Sequence, residues 1–177
     1  MNAPLIASIV LVGLPGAGKS VVGQAVATRL GAPFLDFDAE IERRVGLSVA
    51  DIFERRGEAY FRDRERDLTL EVSVAPARVL SPGGGWITDP TSVALLRPRS
   101  RIIYLQTPPA TALARLGADR QARPLLRGPD PLGALSSLLA SREALYRSAD
   151  EVVDTEMLDL QHVTELVVRL ARGGRAG

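Results

Sequence analysis

A chain of 177 residues with 46% hydrophobic and 24% charged side chains has the size and composition of one globular domain, which excludes wholesale disorder. It carries 22 basic and 21 acidic side chains, a near balance that argues against a nucleic-acid-binding protein held mainly by a positive field. Cysteine is absent, so disulfides, a thiol nucleophile and a cysteine metal site are excluded. Lys19 is the only lysine among the 22 basic residues, and its position therefore calls for an explanation.

The N-terminal region contains no signal for export or membrane insertion. Residues 1–12 are apolar but carry no basic side chain, so the charged start of a signal peptide is missing. No apolar run approaches the roughly 20 residues that a membrane-spanning helix needs. We therefore expect a cytoplasmic protein that has neither a membrane nor a nucleic acid as a partner.

Short apolar runs alternate with longer helical patterns along the chain. Five runs predict strands, over 8–12, 33–36, 78–81, 101–106 and 151–154. Helices are predicted over 19–30, 39–45, 49–56, 58–74, 90–96, 108–116, 132–148 and 160–172. The first and fourth strands are apolar on both faces, as expected of parallel strands covered by helices. The alternation predicts an α/β fold of three layers (α/β/α) with a five-stranded parallel sheet, whose ligands bind at the carboxyl ends of the strands.

Several helices have recognisable start signals. Ser48 with Asp51 fits a capping box. Asp89-Pro90 and Thr107-Pro108 each fit a capping side chain followed by a proline at the first helical position.

A phosphate-binding loop follows the first predicted strand. Gly13-Leu-Pro-Gly-Ala-Gly-Lys-Ser20 matches G-x-x-x-x-G-K-S between a strand and a helix. Its glycines let backbone N–H groups point at phosphate oxygens, and the helix adds its positive dipole end. Lys19 is predicted to reach the β- and γ-phosphates, where the planar fork of an arginine would not fit, and Ser20 to bind Mg²⁺. The residues predicted to bind ATP here are Gly13, Gly16, Ala17, Gly18, Lys19, Ser20 and Val21.

Two carboxylates follow the second predicted strand. Asp36 and Asp38 are two residues apart, so in an extended strand they would face the same side. Adjacent carboxylates repel unless a cation or a donor lies nearby, and Mg²⁺ together with an acceptor hydroxyl would satisfy them. A polar turn in which Asp38 caps the next helix is the alternative.

Three further segments contain candidate ligand-binding residues. Phe53 and Phe61 flank a helix break at Gly57. Arg62 and Glu65 are spaced to pair on one helix face. Arg64 and Arg66 fit a solvated helix face better. Three glycines at 83–85 follow the third strand and expose N–H groups suited to an anion or a hydroxyl-rich ligand, although a tight turn alone would also need them. Residues 117–129 are arginine-rich and bounded by glycines, which is typical of a mobile lid.

Together these segments resemble the shikimate kinase family, a small branch of the P-loop kinases related to nucleoside monophosphate kinases. The matching motifs occur in family order within residues 8–155: the phosphate loop, F-x-D-x-D at 34–38, I-F-x-x-x-G-E-x-x-F-R-x-x-E at 52–65, G-G-G at 83–85, R-P-L-L at 123–126 and R-x-x-L-Y at 142–146. The first motif is shared by many kinases, whereas the combination of the others is specific to this family.

The resemblance implies a role for each matching residue. Asp36 holds Mg²⁺ through water, and Asp38 binds the ring hydroxyls and orients or deprotonates the attacking one. The shikimate carboxylate is gripped by Arg62 and Arg142 with N–H groups of Gly83, Gly84 and Gly85, while Glu65 orients Arg62. Arg123 is the lid arginine that contacts both the transferred phosphoryl group and the acceptor. The apolar walls are Val49, Phe53, Phe61, Pro124 and Leu125.

The implied protein is a monomeric P-loop kinase domain over 1–177, with an acceptor-binding segment at about 36–66, a lid at about 117–129, and shikimate, ATP and Mg²⁺ as its ligands. Three features depart from the family pattern. Leu116, with Arg115 beside it, stands where the family often places an arginine against adenine, and residues 156–160 lack the proline that tends to follow the D-T at 154–155. Trp86 is larger than the family pattern suggests and is expected to form a wall of the acceptor pocket. The alternatives are a gluconate or nucleoside monophosphate kinase, or a non-catalytic nucleotide-binding regulator.

Overall fold

The computed structural model describes residues 5–174, so the first four and last three residues of the predicted domain lie outside the described part of the chain. Five strands form one sheet in the order β2-β3-β1-β4-β5, and every neighbouring pair is parallel. The strands are β1 (Ser8–Val12), β2 (Phe34–Asp36), β3 (Val79–Ser81), β4 (Ser100–Gln106) and β5 (Glu151–Asp154). All five predicted strands are confirmed, with ends within one residue of the prediction.

Seven α-helices are found in the described residues: α1 (Lys19–Leu30), α2 (Phe37–Val45), α3 (Val49–Ser73), α4 (Pro90–Leu96), α5 (Pro109–Leu116), α6 (Pro131–Arg147) and α7 (Leu160–Ala171). Short 3₁₀ segments occur at Trp86–Thr88, Arg97–Arg99, Gly117–Ala122 and Pro124–Leu126. None of the helices within residues 5–174 is long and apolar enough to cross a membrane.

The central strand shows why the fold has three layers. All five residues of β1 are buried. Ile9 and Leu11 belong to the core shared with α1 and α7, whereas Val10 and Val12 belong to the core shared with α2 to α6. Because successive side chains of a strand point to opposite faces, an uninterrupted apolar strand needs helices on both sides. The predicted three-layer α/β/α architecture is confirmed.

Two details of helix initiation differ from the prediction. Helix α2 begins at Phe37, and its capping residue is Asp36, whose carboxylate accepts a hydrogen bond from the Ala39 N–H at 3.2 Å. Asp38 therefore lies in the first turn of α2, so the two carboxylates do not share one extended strand and Asp38 is not the cap. Helix α5 begins at Pro109 without a side-chain cap, because the buried Thr107 hydroxyl is hydrogen-bonded to Thr155 at 2.7 Å.

The caps at the starts of α3 and α4 agree with the sequence. The Ser48 hydroxyl accepts a hydrogen bond from the Asp51 N–H at 3.0 Å. Asp89 accepts one from the Thr91 N–H at 3.2 Å, with Pro90 as the first helical residue. Both contacts satisfy N–H groups that the first turn of a helix leaves without an intrahelical acceptor.

The predicted break at Gly57 is a kink within α3. Gly57 has φ 82° and ψ 165°, a backbone conformation that is essentially restricted to glycine, and helical hydrogen bonding continues on both sides. The kink separates the part of α3 that carries Phe53 from the part that carries Phe61 and Arg62.

We predict that Gly57→Ala lowers the free energy of unfolding by about 1–3 kcal/mol. The added methyl group meets no atom within 4 Å, so the cost comes from the backbone conformation alone. Urea denaturation measures the change. Gly128→Ala is the matched control, because its methyl group also enters open space and its φ is not positive. Equal losses in the two variants would contradict the explanation.

Candidate active site

A cavity of about 510 Å³ opens at the carboxyl edge of the sheet. The phosphate loop after β1, the carboxylates of Asp36 and Asp38 after β2, and the segment 81–84 after β3 all line it. These three strands are adjacent and parallel, so the segments that leave their carboxyl ends meet although they are far apart in the chain. This is the edge at which the sequence predicts ligand binding.

The phosphate loop has the backbone conformation that its glycines predict. Gly13, Gly16 and Gly18 have φ values of 148°, 84° and 87°. A Cβ atom on Gly13 would lie 2.8 Å from the carbonyl oxygen of Leu105, so β4 packs too closely for a side chain there. Of the phosphate-loop residues predicted to bind ATP, Gly13 does not line the cavity, whereas the other six do: Gly16, Ala17, Gly18, Lys19, Ser20 and Val21.

The Lys19 ammonium folds back over the loop. It donates hydrogen bonds to the carbonyl oxygens of Gly13 and Leu14, each at 2.9 Å. Withdrawal from water, together with the charge of Arg123, lowers the pKa of Lys19 to about 8, although Asp38 and Asp36 oppose the shift. A triphosphate would supply negative charge where two cations are already close, which favours anion binding at this loop.

Ser20 and Asp36 form an oxygen-lined position beside Lys19, and the Ser20 hydroxyl donates a hydrogen bond to the Asp36 carboxylate. Hydroxyl and carboxylate oxygens are ligands that suit Mg²⁺, which in kinases is held by few protein groups together with phosphates and water. Within residues 5–174 no group of three or more His, Cys, Asp or Glu side chains could hold a metal ion. The donor set therefore fits a nucleotide-bound Mg²⁺ better than a metal bound by protein alone.

A second, smaller cavity adjoins the first, and the two share Pro15, Asp38, Gly83, Gly84 and Arg123. The structure brings every residue of the predicted acceptor site to it. The lining includes Asp38, Val49, Phe53, Phe61, Arg62, Gly83, Gly84, Gly85, Arg123, Pro124, Leu125 and Arg142. The rings of Phe53 and Phe61 lie 5.2 Å apart and form an apolar wall. Polar and apolar surfaces are thus combined in one small pocket.

Asp38 and Arg123 lie where the two cavities meet. Arg123 Nη1 donates to Asp38 Oδ2 at 2.7 Å, which ties segment 117–129 to the start of α2. The other oxygen, Asp38 Oδ1, is buried and has no hydrogen-bond partner among the described residues. A buried carboxylate oxygen without a donor is unfavourable, so this atom is poised to accept a hydrogen bond from a ligand.

Glu65 presents a second such oxygen beside it. Its side chain is only 3% exposed and pairs with Arg62, which also contacts Glu58 at 2.9 Å. Glu65 Oε1 is buried and lacks a hydrogen-bond partner within the described chain. A Cβ atom on Gly83 would lie 2.8 Å from Glu65 Oε1 and 3.1 Å from Asp38 Oδ1, so both oxygens face the same glycine. The missing side chain at Gly83 keeps this space open for donors such as ligand hydroxyls.

The buried position of Glu65 predicts a specific pH dependence of stability. Burial raises the pKa of Glu65 to about 6, although Arg62 opposes the rise. Between pH 4.5 and 6 the folded state therefore binds more protons than the unfolded state, so the stability contributed by this group falls as the pH rises through that window. The free-energy difference between wild type and Glu65→Gln should fall by about 2 kcal/mol from pH 4 to pH 7, measured by urea denaturation.

Glu40→Gln is the control for this prediction, because two arginines act on Glu40 in the opposite direction. Hydrogen bonds from Arg43 and Arg44 lower the pKa of Glu40 to about 2. Wild type should therefore lose its advantage over Glu40→Gln only below pH 4.5, as the pH falls towards 2. A wild-type to Glu65→Gln difference that is flat between pH 4 and 7 would contradict the assignment to Glu65.

Trp86 and Arg66 lie outside the acceptor pocket. Trp86 does not form a wall of the acceptor pocket: it is 1% exposed, and its Nε1 donates to the Thr69 hydroxyl at 3.0 Å within the core. The 3₁₀ turn after Gly85 directs the indole inward, so that prediction was wrong. Arg66 is paired at the surface with Asp63 and Asp89, in agreement with a solvated face.

Leu116, where the family pattern is broken, and its neighbour Arg115 have different surroundings at the edge of the large cavity, which both residues line. Leu116 is buried against the phosphate loop, where it would contact a side chain on Gly16. The Arg115 guanidinium donates to the hydroxyl and the carbonyl of Thr155 at 3.0 and 2.6 Å. Sequence reasoning noted Arg115 but did not assign it to the cavity, because its partner Thr155 is 40 residues away.

The parallel sheet, the phosphate loop and the adjoining acceptor pocket define a P-loop kinase that acts on a small molecule. A family model described as shikimate kinase matches residues 15–171. The chain is 45% identical to a shikimate kinase of Paracidovorax citrulli over 155 residues, which is 86% of this chain and 84% of that protein. The chain belongs to the shikimate kinase family, so the predicted family is confirmed.

Solved structures agree with this assignment. A shikimate kinase from Acinetobacter baumannii, in complex with shikimate, matches with a TM-score of 0.90 at 38% identity, over 95% of this chain and 94% of that one. A gluconokinase from Sinorhizobium meliloti matches with a TM-score of 0.57 at 19% identity over 97% of each chain, which indicates a shared fold alone. The P-loop kinase fold is thereby confirmed.

Proposed function

We propose that this protein transfers the γ-phosphoryl group of ATP to the 3-hydroxyl of shikimate, giving shikimate 3-phosphate and ADP for aromatic amino acid biosynthesis. The observation that carries the proposal is the meeting of a phosphate-binding cavity and a mixed polar and apolar cavity at Asp38 and Arg123. The transferred group and its acceptor would then lie on either side of these two residues.

The acceptor pocket has the groups that shikimate requires. Shikimate is a small ring with one carboxylate and three hydroxyls. Arg62 and Arg142 supply guanidinium forks for the carboxylate, and Phe53 and Phe61 supply apolar contact for the ring. The unpartnered oxygen of Asp38 supplies an acceptor for hydroxyl protons.

Transfer would depend mainly on positioning and on charge stabilisation. Asp38 would hold the attacking hydroxyl in line with the γ-phosphorus and accept its proton. Arg123 would leave Asp38 and turn to the transferred phosphoryl group as residues 117–129 close, while Lys19 contacts the β- and γ-phosphates. Mg²⁺, held by the phosphates with Ser20 and Asp36 as its protein partners, would neutralise phosphate charge.

The proposed function also assigns roles to two segments of the chain. Residues 36–66 would form the acceptor-binding segment and residues 117–129 the lid of a single kinase domain. A monomeric state and a cytoplasmic location stay predictions from the sequence.

An acceptor screen tests the proposal against its alternatives. Coupled ADP release should require shikimate and Mg²⁺, and should be at least an order of magnitude slower with gluconate, quinate or nucleoside monophosphates. ADP release that is faster with gluconate than with shikimate would favour the alternative of a gluconate kinase. ATP binding without ADP formation on any acceptor would favour a non-catalytic regulator.

The pair at the junction of the two cavities provides a direct mutational test. Asp38→Asn and Arg123→Ala should each lower kcat by about 10²-fold or more, because each would remove a group that the proposed mechanism needs at the reacting atoms. Arg127→Ala is the matched control for the segment, since Arg127 is exposed, lines neither cavity and donates its one side-chain hydrogen bond among the described residues to the Gln121 carbonyl. Urea denaturation checks that all variants fold, and near-normal turnover in either site variant would refute the assigned role.

Removing an arginine from one of the two cavities should raise the KM for one substrate only. Arg62→Ala should raise the KM for shikimate at least tenfold and leave the KM for ATP within about twofold, since Arg62 lies only in the acceptor pocket. Arg66→Ala, one turn further along α3 and exposed, is the matched control. Arg115→Ala should raise the KM for ATP and leave the KM for shikimate within about twofold, because Arg115 lines the large cavity at the phosphate loop and not the acceptor pocket. An equal effect of Arg62→Ala on both substrates would count against a carboxylate-binding role.

A further inference from the structure

Tyr146 is a buried tyrosine of α6 whose hydroxyl reaches the glycine turn that follows β3. Its ring stacks on Tyr104 of β4, with centroids 5.0 Å apart and planes 16° apart. Its hydroxyl donates a hydrogen bond to the carbonyl oxygen of Gly84 at 2.7 Å, across 62 residues of sequence. A hydroxyl held by a stacked, fully buried ring is a fixed donor rather than a mobile one.

This hydrogen bond sets the orientation of one peptide group in the acceptor pocket. The Gly84 carbonyl and the Gly85 N–H belong to the same planar trans peptide and point in opposite directions. Because the carbonyl points to Tyr146 in the core, the N–H points to the other side, where Gly84 and Gly85 line the acceptor cavity. Within the described residues the Gly85 N–H has no acceptor, so it is free to donate to a ligand.

Arg142 precedes Tyr146 by one helical turn on α6 and lines the acceptor cavity. Burial raises the pKa of Tyr146, and the Arg142 charge opposes the rise. The tyrosine therefore stays protonated and keeps its donor role at neutral pH. One turn of α6 thus carries both Arg142 and the hydroxyl that holds the glycine turn.

We infer that Tyr146 is a positioning residue for the acceptor's carboxylate, because its hydroxyl holds the Gly84–Gly85 peptide in the orientation that, together with Arg142, receives that group. The inference rests on the proposed function, in which the glycine turn and Arg142 bind the carboxylate of shikimate. Tyr146 itself is not among the residues that line the two cavities.

Tyr146→Phe removes only the hydroxyl, and Tyr104→Phe removes the equivalent group from the ring stacked on it. The described hydrogen bonds include none from the Tyr104 hydroxyl, so it is the matched control. Tyr146→Phe should raise the KM for shikimate about tenfold, the size expected when a buried carbonyl loses its donor, with the KM for ATP within about twofold of wild type. Tyr104→Phe should leave both constants within about twofold.

Binding can be read independently of turnover through Trp86, the only tryptophan, which follows Gly85 directly. Shikimate titrations that monitor its fluorescence should give the same loss of affinity for Tyr146→Phe as the kinetic constants. In an Arg142→Ala background, Tyr146→Phe should lower kcat/KM for shikimate by a smaller factor than in wild type. The same factor in both backgrounds would overturn the inference, since the hydroxyl would then act without Arg142.

Stability and activity separate the remaining outcomes. A Tyr146→Phe variant that loses stability in urea but keeps wild-type shikimate affinity would overturn the positioning role, as would an equal rise in the KM for ATP. If wild type forms no ADP with shikimate, the proposed function fails and this inference fails with it. An active wild type with an unaltered Tyr146→Phe variant overturns this inference alone.

Discussion

The parallel arrangement of β2, β3 and β1 is the constraint on which the site depends. Parallel strands end at one edge, so the segments that follow them emerge side by side whatever their distance in the chain. The phosphate loop, the carboxylates of Asp36 and Asp38, and the glycine turn at 83–85 occupy three such positions. The helices on both faces complete the arrangement, because a sheet that is apolar on both sides is stable only when it is covered on both sides.

This edge concentrates polar groups in an unfavourable state that a ligand would relieve. The pKa of Lys19 is lowered by burial and that of Glu65 is raised by it, while Asp38 Oδ1 and Glu65 Oε1 lack hydrogen-bond partners in the described chain. Groups of this kind are common where a protein binds substrate rather than where it only packs a core. The ion pair with Arg123 occupies Asp38 Oδ2 and leaves Asp38 Oδ1 without a donor in the described chain.

This site explains why the only lysine is at position 19 and distinguishes two groups of arginines. Basic positions are arginine everywhere except Lys19, where a compact ammonium must lie within a tight backbone loop. Surface arginines such as Arg43 and Arg66 pair with acidic neighbours, whereas Arg62, Arg123 and Arg142 line the pocket. The near-zero net charge of the chain therefore hides an excess of arginine over acidic residues in the lining of the acceptor pocket.

The sequence by itself determined the five strands, the phosphate loop, the break at Gly57 and the membership of the acceptor pocket, because strand pattern, glycine placement and short motifs are local properties. Tertiary structure decided what depends on distant partners. It turned Trp86 toward Thr69, held Arg115 at the large cavity through Thr155, and joined Tyr146 to Gly84. The direction of each of these side chains is fixed by a hydrogen bond to a residue 17 to 62 positions away in the chain. The hydrophobic pattern and short motifs around each residue contain no information about such distant contacts.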